Sequence, residues 1–239
     1  MDTFIARPAG NAAVPLVIVF MDIWGVRPQL FEIAKWIASR GYCAAVPNLY
    51  HRDGVKGFDF RNARGQSVSM EVASKEQQEA VRHHGAALTN EMVDADVGAL
   101  LQFFKTEPVS QGPVGSVGFC MGGRHAMFVA GTRPERMMAT ASLHGTQLVS
   151  DKPDSPHRFA DRFRGEMYCA FAEHDPYVPP SVAVTLDGLL GNRTNLKYRS
   201  VTYAGARHGY AIPDRDVYDQ AAAGKDWTEV FAMFSRALR

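Results

Sequence analysis

Apolar residues along this chain fall into two alternating patterns: short uninterrupted runs, and stripes spaced three and four apart. Pro15-Leu16-Val17-Ile18-Val19-Phe20-Met21 is a run without a polar break, the pattern of a strand covered on both faces. Pro28 then presets a helix start. Leu30, Ile33, Ala34 and Ile37 follow on one helical face, and Gly41 supplies a left-handed stop. Tyr42 to Val46 reads as the next strand, so these segments predict a βαβ unit with parallel strands and a right-handed crossover. Val93, Val97, Leu100, Leu101 and Phe104 mark an amphipathic helix, with Glu91, Asp94 and Asp96 in its first turns complementing the helix dipole. Strands are expected at Val114–Phe119, Ala139–Leu143, Met167–Ala172 and Lys197–Tyr203. Helices are expected at Arg124–Ala130 and from about Ser181 to Leu190. A last helix carries Trp227, Val230, Phe231, Phe234 and Leu238 on one face. Strand–helix alternation throughout predicts one doubly wound α/β domain over residues 1–239.

One segment breaks the alternation. From Tyr50 to about Thr89 the chain holds His51, Arg52, Asp53, Lys56, Asp59, Arg61 and Arg64, with no strong apolar period before the Glu- and Gln-rich stretch Ser74–Val81. A polar excursion of this length inside an α/β domain is more often a functional loop or lid, and residues 51–89 are expected to be one.

Composition removes several classes of function. The chain has 239 residues, 46% of them hydrophobic and 21% charged, enough to bury a substantial core and too apolar for disorder as the main state. Lys+Arg 26 against Asp+Glu 25 leave a net charge of +1, with no surplus for a nucleic-acid backbone or an anionic membrane. The apolar stretch Val14–Met21 falls far short of the roughly 20 residues of a membrane span. Met1-Asp2-Thr3-Phe4 does not begin a signal-peptide pattern. A cytoplasmic protein is expected, a monomer or small homo-oligomer whose partner is a small molecule. Cys43, Cys120 and Cys169 are odd in number and lack CxxC spacing, so neither a disulfide framework nor a zinc site follows. His51 and His83-His84 show no metal-ligand pattern, and Gly115-Ser116-Val117-Gly118 is no dinucleotide fingerprint. Neither metal nor cofactor is expected.

Candidate chemistry concentrates at Gly118-Phe119-Cys120-Met121-Gly122, between a predicted strand and the helix after it. This is the nucleophile-elbow pattern with sulfur in place of oxygen. So tight a turn strains the nucleophile's backbone, and the residues two away on either side crowd each other unless they lack Cβ. The turn also sets the Met121 amide at a helix N-terminus, where an oxyanion would form. The alternative is a small buried cysteine in a glycine-rich packing turn. Asp175 and His208 decide between them. Each follows its own predicted strand, in the order nucleophile, acid, base that α/β hydrolases use. The three types in that order predict a Cys120–His208–Asp175 triad at the carboxyl edge of one sheet.

With these residues in place, the chain resembles the dienelactone hydrolase family of α/β hydrolases. The resemblance runs from Pro15 to the last helix. It rests on Met21-Asp22-Ile23-Trp24-Gly25-Val26, Gly41-Tyr42, Pro47-Asn48-Leu49-Tyr50, Gly118–Gly123, Glu173-His174-Asp175 and Gly205–Tyr210. It implies an α/β-hydrolase fold, a mostly parallel central sheet with helices on both faces. It also implies a cofactor-independent hydrolase of lactones or small carboxylic esters, with the Ile23 amide as second oxyanion donor. Two positions depart from the family. Asp22 stands where a thiol-activating glutamate is usual; it either serves Cys120 or hydrogen-bonds the turn amides before Gly25. Ile212 stands where an arginine grips a substrate carboxylate. Arg61, Arg64, Arg82 or Arg215 is left as a substitute, each expected to be a solvated surface charge. The expected preference therefore moves toward neutral or bulkier esters, with Trp24, Phe119 and Tyr210 as an apolar wall. His144, at a strand end, either lines the site or has a hydrogen-bonded structural role. Two other classes compete: a redox-active thiol protein cycling Cys120, and a non-catalytic binding protein on a hydrolase scaffold.

Overall fold

Uninterrupted apolar runs such as Leu16–Phe20 bury backbone N–H and C=O groups that only other strands can satisfy, and seven strands pair in one sheet. The computed structural model describes residues 1–10 and 12–238. The strands are β1 (Thr3–Ala6), β2 (Leu16–Phe20), β3 (Cys43–Pro47), β4 (Val114–Phe119), β5 (Met137–Leu143), β6 (Gly165–His174) and β7 (Leu196–Arg207). Their order is β1-β3-β2-β4-β5-β6-β7. β1 runs antiparallel to β3, and every other neighbouring pair is parallel. The helices are α1 (Pro28–Ser39), α2 (Lys75–Ala87), α3 (Asn90–Phe103), α4 (Met121–Thr132), α5 (Ser181–Leu190) and α6 (Gln220–Ala237).

Two successive residues of β6 show how both faces are covered. The Tyr168 hydroxyl donates to Asp226 of α6 at 2.7 Å. The sulfur of the next residue, Cys169, lies 4.0 Å from that of Met127 in α4. Adjacent strand residues point to opposite faces, so α4 and α6 cover opposite sides. α1 joins α6 through the Trp36 and Trp227 rings, 4.9 Å apart. α3 joins α4 through Asp94, which accepts from Thr132 at 2.6 Å and from Arg133 at 2.8 Å. This is the α/β-hydrolase fold, and the predicted strands and helices lie at or near their expected places.

Three elements differ from the expectation. β1 is too short to display a period; it forms by pairing with β3, and Phe4 stacks on Phe31 of α1 at 4.4 Å. α4 begins at Met121, immediately after the cysteine, instead of at Arg124. The polar segment contains α2, whose start is a capping box: the Gln77 amide donates to the Ser74 hydroxyl and the Ser74 amide to the Gln77 side chain. Only Val81 and Gly85 of α2 are buried, too few for a visible stripe. Val81 packs with Trp24, Val68 and Ala73 in a small cluster apart from the main core.

Behind the carboxyl edge, Asp226 is fully buried and accepts from both Tyr168 (2.7 Å) and Tyr210 (2.6 Å). Replacing Asp226 with alanine strands the buried Tyr210 hydroxyl and leaves that of Tyr168 only its contact with Tyr203 at 3.2 Å, each lost partner costing about 1–3 kcal/mol. Urea denaturation of Asp226→Ala is expected to show a loss of about 2–5 kcal/mol, with Asp226→Asn, which keeps an acceptor, losing less.

Candidate active site

The turn between β4 and α4 sets the geometry. Cys120 has φ 53° and ψ −117°, a backbone conformation that L-residues rarely adopt. It is held there by three hydrogen bonds: Cys120 N to Leu143 O (3.1 Å), and Thr146 N and Gly123 N to Cys120 O (3.1 and 3.0 Å). A Cβ on Gly118 would lie 2.1 Å from the Gly122 carbonyl oxygen, and one on Gly122 would lie 2.4 Å from that of Phe20. The glycines on either side are therefore required by backbone contact. Met121 is the first residue of α4, so its amide has no partner within the helix. Among the described residues, neither this amide nor that of Ile23 donates to a protein acceptor. Ile23 is fixed from its other side by the Tyr50 hydroxyl, which donates to its carbonyl at 2.8 Å.

Asp175 and His208 follow β6 and β7. Asp175 Oδ2 lies 2.7 Å from His208 Nδ1, and its Oδ1 accepts the Tyr177 amide at 2.9 Å. One carboxylate thus shapes its own turn and orients the imidazole. The Tyr177 ring packs edge-on to that imidazole at 4.9 Å. Burial alone would lower the His208 pKa. The negative charge of the adjacent Cys120 sulfur, and hydrogen bonds to Asp175 and Cys120, outweigh burial and push it up to about 10. The structure therefore brings Cys120, His208 and Asp175 together, with Asp175 hydrogen-bonded to the imidazole and Cys120 bordering the same cavity as His208.

Asp22 is buried beneath these residues, committed to other partners. Its Oδ1 accepts from Arg27 (2.7 Å) and from the Trp24 amide (3.1 Å); its Oδ2 accepts from Arg27 (3.0 Å) and Arg215 (3.4 Å). Arg27 is also paired with Asp214 at 3.0 Å. Of the two roles anticipated for Asp22, the turn amide is a contact present here, joined by an arginine clamp that the sequence did not disclose. The Arg215 guanidinium lies 5.1 Å from the Trp24 ring centre.

These groups border a cavity of about 500 Å³. Ile23, Trp24, Cys120, Met121 and His208 line it, and the polar segment supplies a wall through Ser69, Met70, Arg82 and Gly85. Phe119 and Tyr210 do not line it, contrary to expectation; both are fully buried. Phe119 ends β4 and packs on Trp227 (6.4 Å), while Tyr210 is drawn inward by Asp226. Ile212 is buried away from the cavity too, and Arg215, one turn further along, lines it. The Arg215 side chain is only 4% exposed, so the expectation of a solvated charge fails there. Arg82 also lines the cavity, whereas Arg61 and Arg64 do not; Arg61 is tied to Asp59 and the Gly65 carbonyl. His144 lines it, fully buried, and among the described residues neither ring nitrogen has a partner. The hydrogen-bonded structural role is therefore not the one found. Burial, with His208 and Arg215 nearby, lowers its pKa well below the ordinary value and keeps the ring neutral. Arg124, in the first turn of α4, also lines the cavity and went unnoticed as a site residue.

The remaining cysteines lie in the core. Cys43 and Cys169 are fully buried, and burial pushes the Cys169 thiol up to about 12. Among the described residues no helix is long and apolar enough to cross a membrane, and no cluster of His, Cys, Asp or Glu could hold a metal ion.

The family model of the dienelactone hydrolase family matches residues 1–238. The chain belongs to the dienelactone hydrolase family. Dienelactone hydrolases and other α/β hydrolases are also its neighbours in structure. A Klebsiella pneumoniae protein provisionally named a dienelactone hydrolase superposes with a TM-score of 0.82 at 20% identity, covering 98% of this chain and 92% of that one. A Synechocystis sp. protein provisionally named carboxymethylenebutenolidase is 26% identical over 99% of this chain and 92% of its own length. The Pseudomonas putida carboxymethylenebutenolidase is 28% identical over 53% of this chain and 48% of its own. As a dienelactone hydrolase relative, the chain is a hydrolase of small substrates.

Two outcomes follow from this geometry. Removing a negative neighbour disfavours a cation, so Cys120→Ala lowers the His208 pKa from about 10. Imidazole NMR should show wild-type His208 protonated through neutral pH, and the variant losing that proton at a lower pH. Asp22→Ala leaves Arg27 and Arg215 buried with a partner removed, and is expected to cost about 3–5 kcal/mol in chemical denaturation.

Proposed function

We propose that this chain hydrolyses a lactone or small carboxylic ester through a thioester on Cys120. The observation that carries the reading is Cys120 on a strained turn beside the hydrogen-bonded pair His208–Asp175, with two unpartnered amides bordering the same site. The names of the relatives support the lactone class.

In this reading, His208 holds the proton that Cys120 has given up, and Asp175 keeps the ring oriented and its charge favourable. The thiolate forms a bond to the substrate carbonyl carbon, and the carbonyl electrons move onto oxygen. The Ile23 and Met121 amides stabilise that oxyanion, each worth about 3 kcal/mol in comparable sites. The tetrahedral centre collapses, the C–O bond breaks, and the leaving alkoxide takes the proton from His208. Neutral His208 then removes a proton from water as it attacks the thioester. The acid is released, and the thiolate–imidazolium pair is restored. A lactone leaves as a ring-opened hydroxy acid, because its alcohol stays attached. The strained Cys120 backbone aims the sulfur at the cavity before substrate arrives, so little reorganisation remains. The segment carrying Ser69, Met70 and α2 acts as the cover of the site.

Cys120→Ala and His208→Ala are expected to lower kcat/KM toward phenyl acetate and simple lactones by at least about 10³-fold. Asp175→Ala, which leaves nucleophile and base in place, is expected to lose less. Mass spectrometry of wild-type protein quenched during turnover should find the acyl group on the peptide containing Cys120. Full activity in Cys120→Ala, or an acyl group on another residue, overturns the reading.

A further inference from the structure

An oxyanion donor works only if its N–H is aimed before the charge develops, so whatever holds the donating peptide bears on the rate. The two amides at this site are held differently. Met121 opens α4, and its amide shares the rigidity of that helix. Ile23 lies in a turn after β2, outside any helix or strand, so the direction of its amide depends on what grips the residues around it. On the amino-terminal side, Asp22 is locked by Arg27 and accepts the Trp24 amide.

Two further grips close on Ile23 itself. The first is Tyr50, whose hydroxyl donates to the Ile23 carbonyl at 2.8 Å. The same oxygen lies 4.0 Å from Met121 Sδ, so one side chain touches both residues whose amides face the site. Tyr50 is buried and does not line the cavity, and its proton is already committed to Ile23. Burial, with the negative charges of Asp22 and Cys120, pushes its pKa far up and keeps the hydroxyl a donor. Its backbone is fixed in turn: the Tyr50 amide donates to Asn48 Oδ1 at 3.0 Å, and Asn48 Nδ2 donates to the Val55 carbonyl at 2.9 Å.

The second grip comes from the cover. Gly85 of α2 approaches Ile23 so closely that a Cβ there would lie 2.7 Å from Ile23 Cδ1 and 3.7 Å from the Tyr50 hydroxyl oxygen. Glycine is unfavourable inside a helix, and this contact is what requires it. The residue before it, His84, packs its ring on that of Tyr50 at 5.8 Å and is paired with Asp53 at 2.7 Å. Ile23 is therefore held by its carbonyl from β3's following turn and by its side chain from α2.

We propose that Tyr50 and Gly85 are positioning residues for the Ile23 amide, so that the oxyanion hole is complete only when the cover helix α2 is seated. The inference rests on the proposed thioester chemistry and adds to it a dependence of carbonyl attack on closure. Both residues act through Ile23, Tyr50 on its carbonyl and Gly85 on its side chain. Lifting α2 to admit a substrate releases one grip, and reseating it restores the aim of the donor.

The test separates oxyanion stabilisation from thiolate reactivity. The probe is benzyl trifluoromethyl ketone: the Cys120 sulfur bonds to its carbonyl carbon, the carbonyl electron pair moves onto oxygen, and the alkoxide so formed needs the two amides. Iodoacetamide alkylates the same sulfur by displacing iodide and creates no oxyanion. Tyr50→Phe is expected to weaken inhibition by the ketone, and to lower kcat toward phenyl acetate, by about ten- to a hundredfold. KM should change little, and the iodoacetamide rate at Cys120 should match wild type. Gly85→Ala, which favours the helix itself, is expected to show the same pattern more weakly, because the added methyl displaces Ile23. Wild-type ketone affinity in either variant overturns the proposal. So does an iodoacetamide rate that falls in parallel, since the elbow and not the amide has then moved. If Tyr50→Phe does not fold, Gly85→Ala decides on the same two readouts. Fluorine NMR keeps this inference apart from the reading beneath it. A wild-type protein that forms no tetrahedral adduct removes the thioester reading, whereas an adduct formed equally by wild type and both variants removes only the positioning role.

Discussion

The left-handed backbone of Cys120 depends on close approach between strand β4, helix α4 and the neighbouring strand β2. Gly118 and Gly122 leave no room for a methyl group between these backbones, and the turn is tied to β5 through the Leu143 carbonyl. Because the sheet fixes the strand ends, the loops after β2, β5, β6 and β7 arrive around the sulfur without further adjustment. A nucleophile on a rigid element is positioned more exactly than one on a loop. The strain at one residue is therefore balanced by the whole sheet.

Charge is arranged in layers around that sulfur. Nearest is His208, held as a cation by Cys120 and Asp175. Behind it His144 stays neutral, since a second positive ring 5.1 Å from His208 would be repelled and burial already disfavours it. Tyr210 backs His144, and Asp226 draws the Tyr210 hydroxyl away from the site. On the other side Asp22 neutralises Arg27 and Arg215. Asp214 adds the second negative charge that these two arginines need.

The polar segment joins this arrangement through ion pairs as well as packing. Arg207, beside the histidine, pairs with Glu71 on the cavity wall. The Ser67 amide donates to the Asp214 carbonyl at 2.7 Å, and Ser69 donates to Asp216. The wall of the cavity is thus anchored to the same stretch that carries His208 and Arg215. A change in either is transmitted to the other over a few residues.

Local chemistry made much of this protein legible in its sequence. Six of seven strands were legible, the interior ones because buried parallel strands read as near-continuous apolar runs. The G-x-C-x-G turn and the order of Cys120, Asp175 and His208 were readable because the elbow needs glycine at fixed spacing. Helix α2 was hidden: its stability comes from the Ser74–Gln77 cap and from two buried positions, below what a periodic reading can resolve. Tertiary structure alone decided how residues distant in sequence share the site. Asp22 meets Arg215, Trp24 lies under that arginine, and Arg124 is hydrogen-bonded to Gln147. It also moved Phe119, Tyr210 and Ile212 out of the cavity. Orientation at a strand end depends on what covers each face, and Trp227 on α6 and the Asp226 carboxylate claimed Phe119 and Tyr210. Pairing and burial are properties of the packed chain, and no spacing along the sequence encodes them.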